Sequence, residues 1–349
     1  MNDERINESA FQKFGGTVRQ PVSITQSSLV KTSCLTADQP LPLVIEPAVK
    51  EINLIAWARS AREYLEAELL QHGAILFRNF NLETVSGFEQ FAKTVSPQLL
   101  DYRERSSPRS LIKRGIYTST EYPPDKYIQF HNEQSYARSW PMKLWFFCMR
   151  PPDTKGATPI ADGRRVLELL DPQLTMRFRE KKVLYVRNYQ QGIGLSWEES
   201  FQTKDRAEVE EYCRQANIDF EWKDHNGLRT RQVFDTIVPH PKTGELVWFE
   251  HTAFFHVTSL EPSMRKSFLA EFKQEDLPFN TYYGDGSPIA ESDLEAIRHA
   301  YQQRAVTFRW QKSDLLLIDN MLVSHSRESY TGPRKILVAM AELYRPDQN

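Results

Sequence analysis

Between residues 125 and 255 the apolar positions come in short runs: "KLWFFC", "KVLYVRNY", "RQVFDTIV" and "ELVWFEH". Runs of that length, rich in β-branched and aromatic residues, predict strands. "HPKTGE" (His240 to Glu245) has the chemistry of a hairpin turn. "SFQTKDRAEVEEYCRQA" changes to a helical period and reads as an insertion between strands. On the N-terminal side, "AWARSAREYLEAELLQHGAILFRNF" predicts one helix, a stop at Gly73 and the short strand "AILF", and "TVSGFEQFAKTV" predicts a second helix. Near the C-terminus "SDLEAIRHAYQQRA" predicts a helix with Ser292 as its cap and Glu295 closing a capping box, followed by the strands "VTFRW" and "DLLLIDN". Residues 1–45 lack a steady period and are rich in Ser, Thr, Gln and Pro, so they read as an N-terminal arm; residues 46–349 read as a single domain with helical insertions. Many strands, few helices and no regular βαβ alternation predict a mainly β fold with flanking helices around a jelly-roll core.

The chain of 349 residues is 40% hydrophobic, enough for a substantial core. Its formal net charge of -2 gives no sign of a nucleic-acid or membrane-surface partner. No signal peptide and no transmembrane run is visible. Cys34, Cys148 and Cys213 are far apart and odd in number, which suggests neither a disulfide framework nor a zinc knuckle and fits a reducing cytoplasm. The sequon at Asn7 to Ser9 reads as chance. Phosphate-cradle, zincin and serine-hydrolase signatures are all missing.

"FHNEQSYARSWPMKLWFFC" holds the candidate chemistry. In an extended segment residues i and i+2 share a face, so His131 and Glu133 can bind one ion while Asn132 faces away. The bland alternative is a polar pair flanking a buried strand. His72 and His299 lie on helices, and His225 and His240 in polar turns. His325 lies between two apolar strands in "DLLLIDNMLVSHSRESYTGPRKILVAM", where a structural histidine is an equal reading. Two histidines and a carboxylate, two close and one far along a β-rich chain, are the donor set of the facial triad that holds non-haem Fe(II) with three open positions. A 2-oxoacid co-substrate and O₂ would use those positions. The distal carboxylate of the co-substrate needs a cation: Arg334, with Arg327 and Lys335 as rivals.

With "HNE", "PPDTKGATPIADG" and "DNMLVSHSRESYTGPRK" in that order and spacing, the chain resembles the TauD/TfdA-type, clavaminate synthase-like Fe(II)/2-oxoglutarate dioxygenases from roughly residue 50 onward. The resemblance implies a double-stranded β-helix. His131, Glu133 and His325 fall on the family's metal ligands, Thr158 on a 2-oxoglutarate contact, and Arg334 near the arginine that clamps the distal carboxylate. The "KGAT" and Ser326-Arg327 segments depart from the usual family pattern without removing a ligand. Fe(II), 2-oxoglutarate and O₂ are the implied cofactor and co-substrates. "VRNYQQGIGLSW", "LRTRQ" and "HPKTGELVWFEH" look most like amino-acid hydroxylases of peptide antibiotic pathways, whose substrate is free or tethered to a carrier protein. The candidate substrate contacts are Arg229 and Arg231 for a carboxylate, Glu250 for an ammonium, and His251, Arg327, Trp248 and Phe255. Strand alternation turns about half of such positions away from any one pocket. Desaturation or cyclisation by the same oxidant, and a non-catalytic jelly-roll binding protein, are the alternatives. Halogenation would need the carboxylate ligand to be missing, and Glu133 is present.

Overall fold

In a computed structural model of the chain, residues 29–346 are described except 37, 38, 103 and 191–193. The longest strand, Trp140–Arg150, is central to an eight-stranded sheet and buried along most of its length. Its apolar residues divide by parity: Trp145 and Phe147 face one core, while Leu144, Phe146 and Cys148 face another. The neighbouring strands Leu315–Asp319 and Lys335–Tyr344 divide the same way. Runs without polar alternation are therefore what a sheet covered on both faces requires. On one side lie the helices Leu54–Ser60, Arg62–His72 and Val85–Val95. The other face packs Phe146, Leu316 and Val338 with Ile160 and Val323 of a three-stranded sheet made of Ile128–His131, Val323–Arg327 and Ile160–Asp162. This is the double-stranded β-helix. A four-stranded antiparallel sheet, Asp219–Lys223, Gly227–Phe234, Val183–Tyr189 and Phe279–Tyr283, extends it at one end.

Several local expectations are met: Gly73 caps Arg62–His72 in the left-handed region with φ 75, "AILF" forms Ala74–Phe77, and "HPKTGE" turns a hairpin between Ile237–Pro239 and Leu246–Trp248. Others change. The first helix is two, parted at Ala61, where Ser60 Oγ bonds back to Trp57 O at 2.9 Å. "RQVFDTIV" divides between two strands. "VTFRW" makes only the bridge Val306↔Ile160, although Phe308 and Trp310 still enter the core. The Ser292 cap fails: the helix is Glu291–Arg304, with Ala290 at its cap and no side-chain bond there. A capping box instead opens the short helix Trp197–Phe201, where Ser196 and Glu199 bond reciprocally. Of the segment read as an arm, residues from Val30 onward supply the strands Val30–Thr36 and Gln39–Pro47 to an edge of the large sheet; residues 1–28 lie outside the described part.

Candidate metal centre

His131 ends the strand Ile128–His131 and stands directly opposite His325 of Val323–Arg327, whose other edge pairs His325 with Ile160. Opposed residues of an antiparallel pair project from the same face. The two imidazole centroids are 4.3 Å apart. Each of His131, Glu133 and His325 offers a ligand atom, and these lie within 4.8 Å of one another.

Strand alternation is not what brings Glu133 there, because the strand stops at His131. Asn320 does it, from the turn between Leu315–Asp319 and Val323–Arg327. Its Oδ1 accepts from Glu133 N at 2.8 Å, and its Nδ2 donates to Glu133 O and Pro141 O at 2.9 Å each. Asn132 faces away from the centre and donates to Asn320 O at 2.7 Å. The turn itself is fixed by Asp319, whose Oδ1 accepts from Met321 N and Leu322 N, and whose Oδ2 meets Nε2 of the buried His240 at 3.1 Å. His240 sits in the hairpin turn where the sequence placed it, and is buried there as a partner of the Asp319 turn.

The carboxylate of Glu133 accepts from Tyr102 Oη at 2.9 Å on one oxygen and from Arg109 Nη2 at 2.6 Å on the other. Burial pushes this carboxyl up, but Arg109, His131 and the Tyr102 bond outweigh it, and it sits below its ordinary range. Burial depresses both His131 and His325, His325 strongly. His131 Nδ1 lies 2.8 Å from the carbonyl of Gln129, so Nδ1 carries the proton and Nε2 keeps its lone pair. His325 Nδ1 is buried with no hydrogen-bond partner among the described residues. Two neutral imidazoles and an ionised carboxylate, converging without hydrogen bonds to one another, form a donor set that fits Fe(II).

Next to this cluster is a small cavity of about 30 Å³ bounded by Ser119, Phe146, Thr158, Arg327, Arg334 and Val338. Arg334 donates to Gly156 O at 2.9 Å and to Ser119 Oγ and Thr158 Oγ1 at 3.2 Å each. Among the described residues no carboxylate lies within salt-bridge reach of it. Burial and the neighbouring Arg327 lower it to about 10. A cation held only by neutral oxygens is short of an anion, which fits the distal carboxylate of 2-oxoglutarate. Arg327 gives its terminal nitrogens to Tyr122 O, Pro123 O and Lys126 O, and so ties that loop over the cavity. Lys335 is exposed.

A larger cavity of about 430 Å³ also reaches His131 and Glu133, with Tyr122, Tyr127, Phe254, Phe255, Met264 and Phe279 in its walls. Of the sequence-derived substrate contacts, only Phe255 is part of this wall, and Arg327 is in the wall of the smaller one. Arg229 is engaged with Asp276 and with Asn188 Oδ1. Arg231 is half-buried and faces Asp219 and Glu221 at 3.5 and 3.6 Å. Glu250 is buried outside both cavities: its Oε2 accepts from Thr252 N and Ala253 N at the start of the short helix Thr252–Phe255, and its Oε1 accepts from Tyr301 Oη at 2.9 Å. Trp248 is buried against Phe178. His251 backs the site, its ring 4.8 Å from that of His131. Arg109, Tyr102, Asn320 and Phe254 were missed by sequence reasoning. Arg109 lies in a patternless stretch, and only proximity in space reveals it.

Residues 37–340 match the family described as taurine catabolism dioxygenase TauD, TfdA family. The dapdiamide synthesis protein DdaC of Enterobacter agglomerans is 38% identical over 278 residues, covering 80% of this chain and 84% of its own. A clavaminate synthase-like protein of Arabidopsis thaliana is 28% identical over 323 residues, covering 87% and 94%. The crystal structure of PvcB from Pseudomonas aeruginosa superimposes with a TM-score of 0.55 at 15% identity, covering 92% of this chain and 94% of that one. A second PvcB structure, described as an Fe, alpha-ketoglutarate dependent oxygenase from an isonitrile synthetic pathway, gives the same TM-score over 93% and 96%.

Proposed function

The chain belongs to the TauD/TfdA dioxygenase family, and from that premise we propose that His131, Glu133 and His325 hold Fe(II), that Arg334 and Thr158 receive 2-oxoglutarate, and that the enzyme hydroxylates an unactivated C–H bond of a small amino-acid-like molecule. Its class is that of the family, an Fe(II)/2-oxoglutarate-dependent oxygenase rather than a non-catalytic binding protein. One observation carries the reading: three ligand atoms within 4.8 Å of one another sit between a small cavity ending in an uncompensated arginine and a larger apolar one.

Bound iron would supply O₂ activation coupled to decarboxylation of 2-oxoglutarate to succinate and CO₂. The protein's part is positional. Arg334 and Thr158 orient the co-substrate from its far end. Arg109 and Tyr102 keep the Glu133 carboxylate ionised and aimed. Phe254, its ring 5.1 Å from that of His131, together with Phe255 and Phe279, keeps water from the face where the substrate enters. The relative named for dapdiamide synthesis supports a place in small-molecule biosynthesis. An amino-acid substrate is proposed in both forms, free and loaded on a carrier protein.

The test has two stages. His131→Ala, Glu133→Ala and His325→Ala should each lose iron and 2-oxoglutarate-dependent succinate formation; near-normal succinate from His325→Ala would remove it from the ligand set. Mass spectrometry of amino acids, free and carrier-loaded, should then find a gain of one oxygen derived from O₂. A product short of two hydrogens with no added oxygen, or a chlorinated one, would refute hydroxylation.

A further inference from the structure

Arg109 is the one residue, among those described, that combines burial, charge and unused donors at the meeting of the two cavities. Its side chain is 3% exposed. Nη2 is bonded to Glu133, and the guanidinium lies 4.7 Å over the Tyr102 ring. Nε and Nη1 are buried and have no hydrogen-bond partner among the described residues. The residue forms part of the wall of both cavities. If Glu133 gives its charge to a metal, as the reading above has it, the arginine is left short of negative charge as well as of acceptors. A buried cation with free donors calls for an oxygen anion or a carbonyl.

The remainder of the large cavity narrows the choice of ligand. Its inner wall is apolar, from Phe254, Phe255, Val257, Leu277 and Phe279. The acidic residues lining it are Glu133, already paired, and Glu261, which is exposed at the rim. Its cations are the buried Arg109 and the half-buried Lys126, which faces Asp125 at 3.5 Å, so the buried part of the wall offers one cation and no free acid. An ammonium would find no carboxylate there, whereas an acid or acyl head would find Arg109 and an apolar body would find the aromatic wall.

We propose that the unused donors of Arg109 receive a carboxylate or acyl oxygen of the primary substrate, and that the substrate is an acid or acyl derivative with an apolar body, carrying any free amine toward the rim. This deepens the site reading above and rests on it. Arg109 also lines the small cavity, so a carboxylate oxygen of 2-oxoglutarate is the other source of the same chemistry.

The experiment uses the full chain, both metal-free and loaded with Mn(II) and 2-oxoglutarate under argon. Each form is titrated by calorimetry with phenylbutanoate and with phenylbutylamine, which share a body and differ in the head. The acid should bind about tenfold tighter or better than the amine in both forms. In the metal-free form Arg109→Gln should abolish that preference, with Arg109→Lys retaining part of it. Circular dichroism and Mn(II) uptake verify that each variant is folded. Equal binding of acid and amine by the wild type, an unchanged preference in Arg109→Gln, or loss of 2-oxoglutarate binding in its place would each overturn the proposal. The metal-free titration reads the preference even where Mn(II) fails to bind, and that failure would count against the metal-site reading alone.

Discussion

At the scale of residues, the site depends on which charges are compensated. Arg334 and Arg327 lie side by side, yet their donors go to different ends. Arg334 reaches two side-chain hydroxyls in the cavity, while Arg327 is spent on three backbone carbonyls of the loop above it. Arg334→Ala should therefore weaken 2-oxoglutarate binding about ten- to a hundredfold, the worth of a lost charge-assisted contact at roughly 1.5–3 kcal/mol. Calorimetry on the Mn(II)-loaded variants checks this; a larger loss in Arg327→Ala would move the clamp to that residue. His131, Glu133 and His325 were legible as candidates because "HNE" and the distal "SHSR" segment follow a family's order, and the structure brings their ligand atoms within 4.8 Å of one another. Arg109 and Tyr102 were not, since nothing in the chain marks residues 24 and 31 positions upstream as partners of Glu133.

At the scale of elements, turns and helix ends fix the ligands. Gly73 stops a helix with φ 75, and its carbonyl accepts from Asp319 N at 2.9 Å. A Cβ at Gly73 would lie 2.6 Å from Val323 Cγ2, at the start of the strand that bears His325. Gly73→Ala should destabilise the protein by roughly 1–3 kcal/mol, through the left-handed backbone and the clash together. A urea midpoint unchanged from wild type would mean that the turn relaxes freely. The helix stop was readable from one glycine between a helical and an apolar pattern. The cap at Ser292 was misread because a capping box is a short pattern that occurs without its geometry: the chain enters that helix two residues earlier.

At the scale of the molecule, the site is a cluster of neutral imidazoles inside a closed β-helix. Burial lowers His131, His251, His325 and His256, the last to about 4. An unfolded histidine titrates near 6.5, so from about 6.5 down to about 4 the unfolded chain binds more protons at His256 than the folded one. Stability from this group is complete above that window and is lost as pH falls through it. Glu104 and Glu250, raised by burial, act in the opposite sense from the ordinary carboxylate range upward, and so offset part of the histidine effect in the same window. Metal-free protein should lose stability to urea between pH about 7 and about 5, and His256→Asn should flatten that loss by about 1 kcal/mol. Superimposable curves for the two proteins would count against a neutral, buried His256.

The sequence by itself determined a mainly β, jelly-roll architecture, which its resemblance to a family sharpened to a double-stranded β-helix, and it singled out His131, Glu133 and His325, which the structure brings within 4.8 Å of one another. The strands depend on local pattern, since short apolar runs mark them whatever they pack against; the donor set depends on the order of three motifs, because His-x-Glu and a distant His each have a structural reading when taken alone. Only the tertiary structure decided which cations serve the site. Arg229 and Arg231 looked available along the strand, but register pairs Arg229 with Asn188 and leaves Arg231 beside Asp219 and Glu221. Asn320 reaches Glu133 across 187 residues, and Arg109 reaches it from a stretch with no pattern. A charged side chain is used where its partner happens to be buried, and that partner is chosen by the packing of the sheets, which no local spacing encodes.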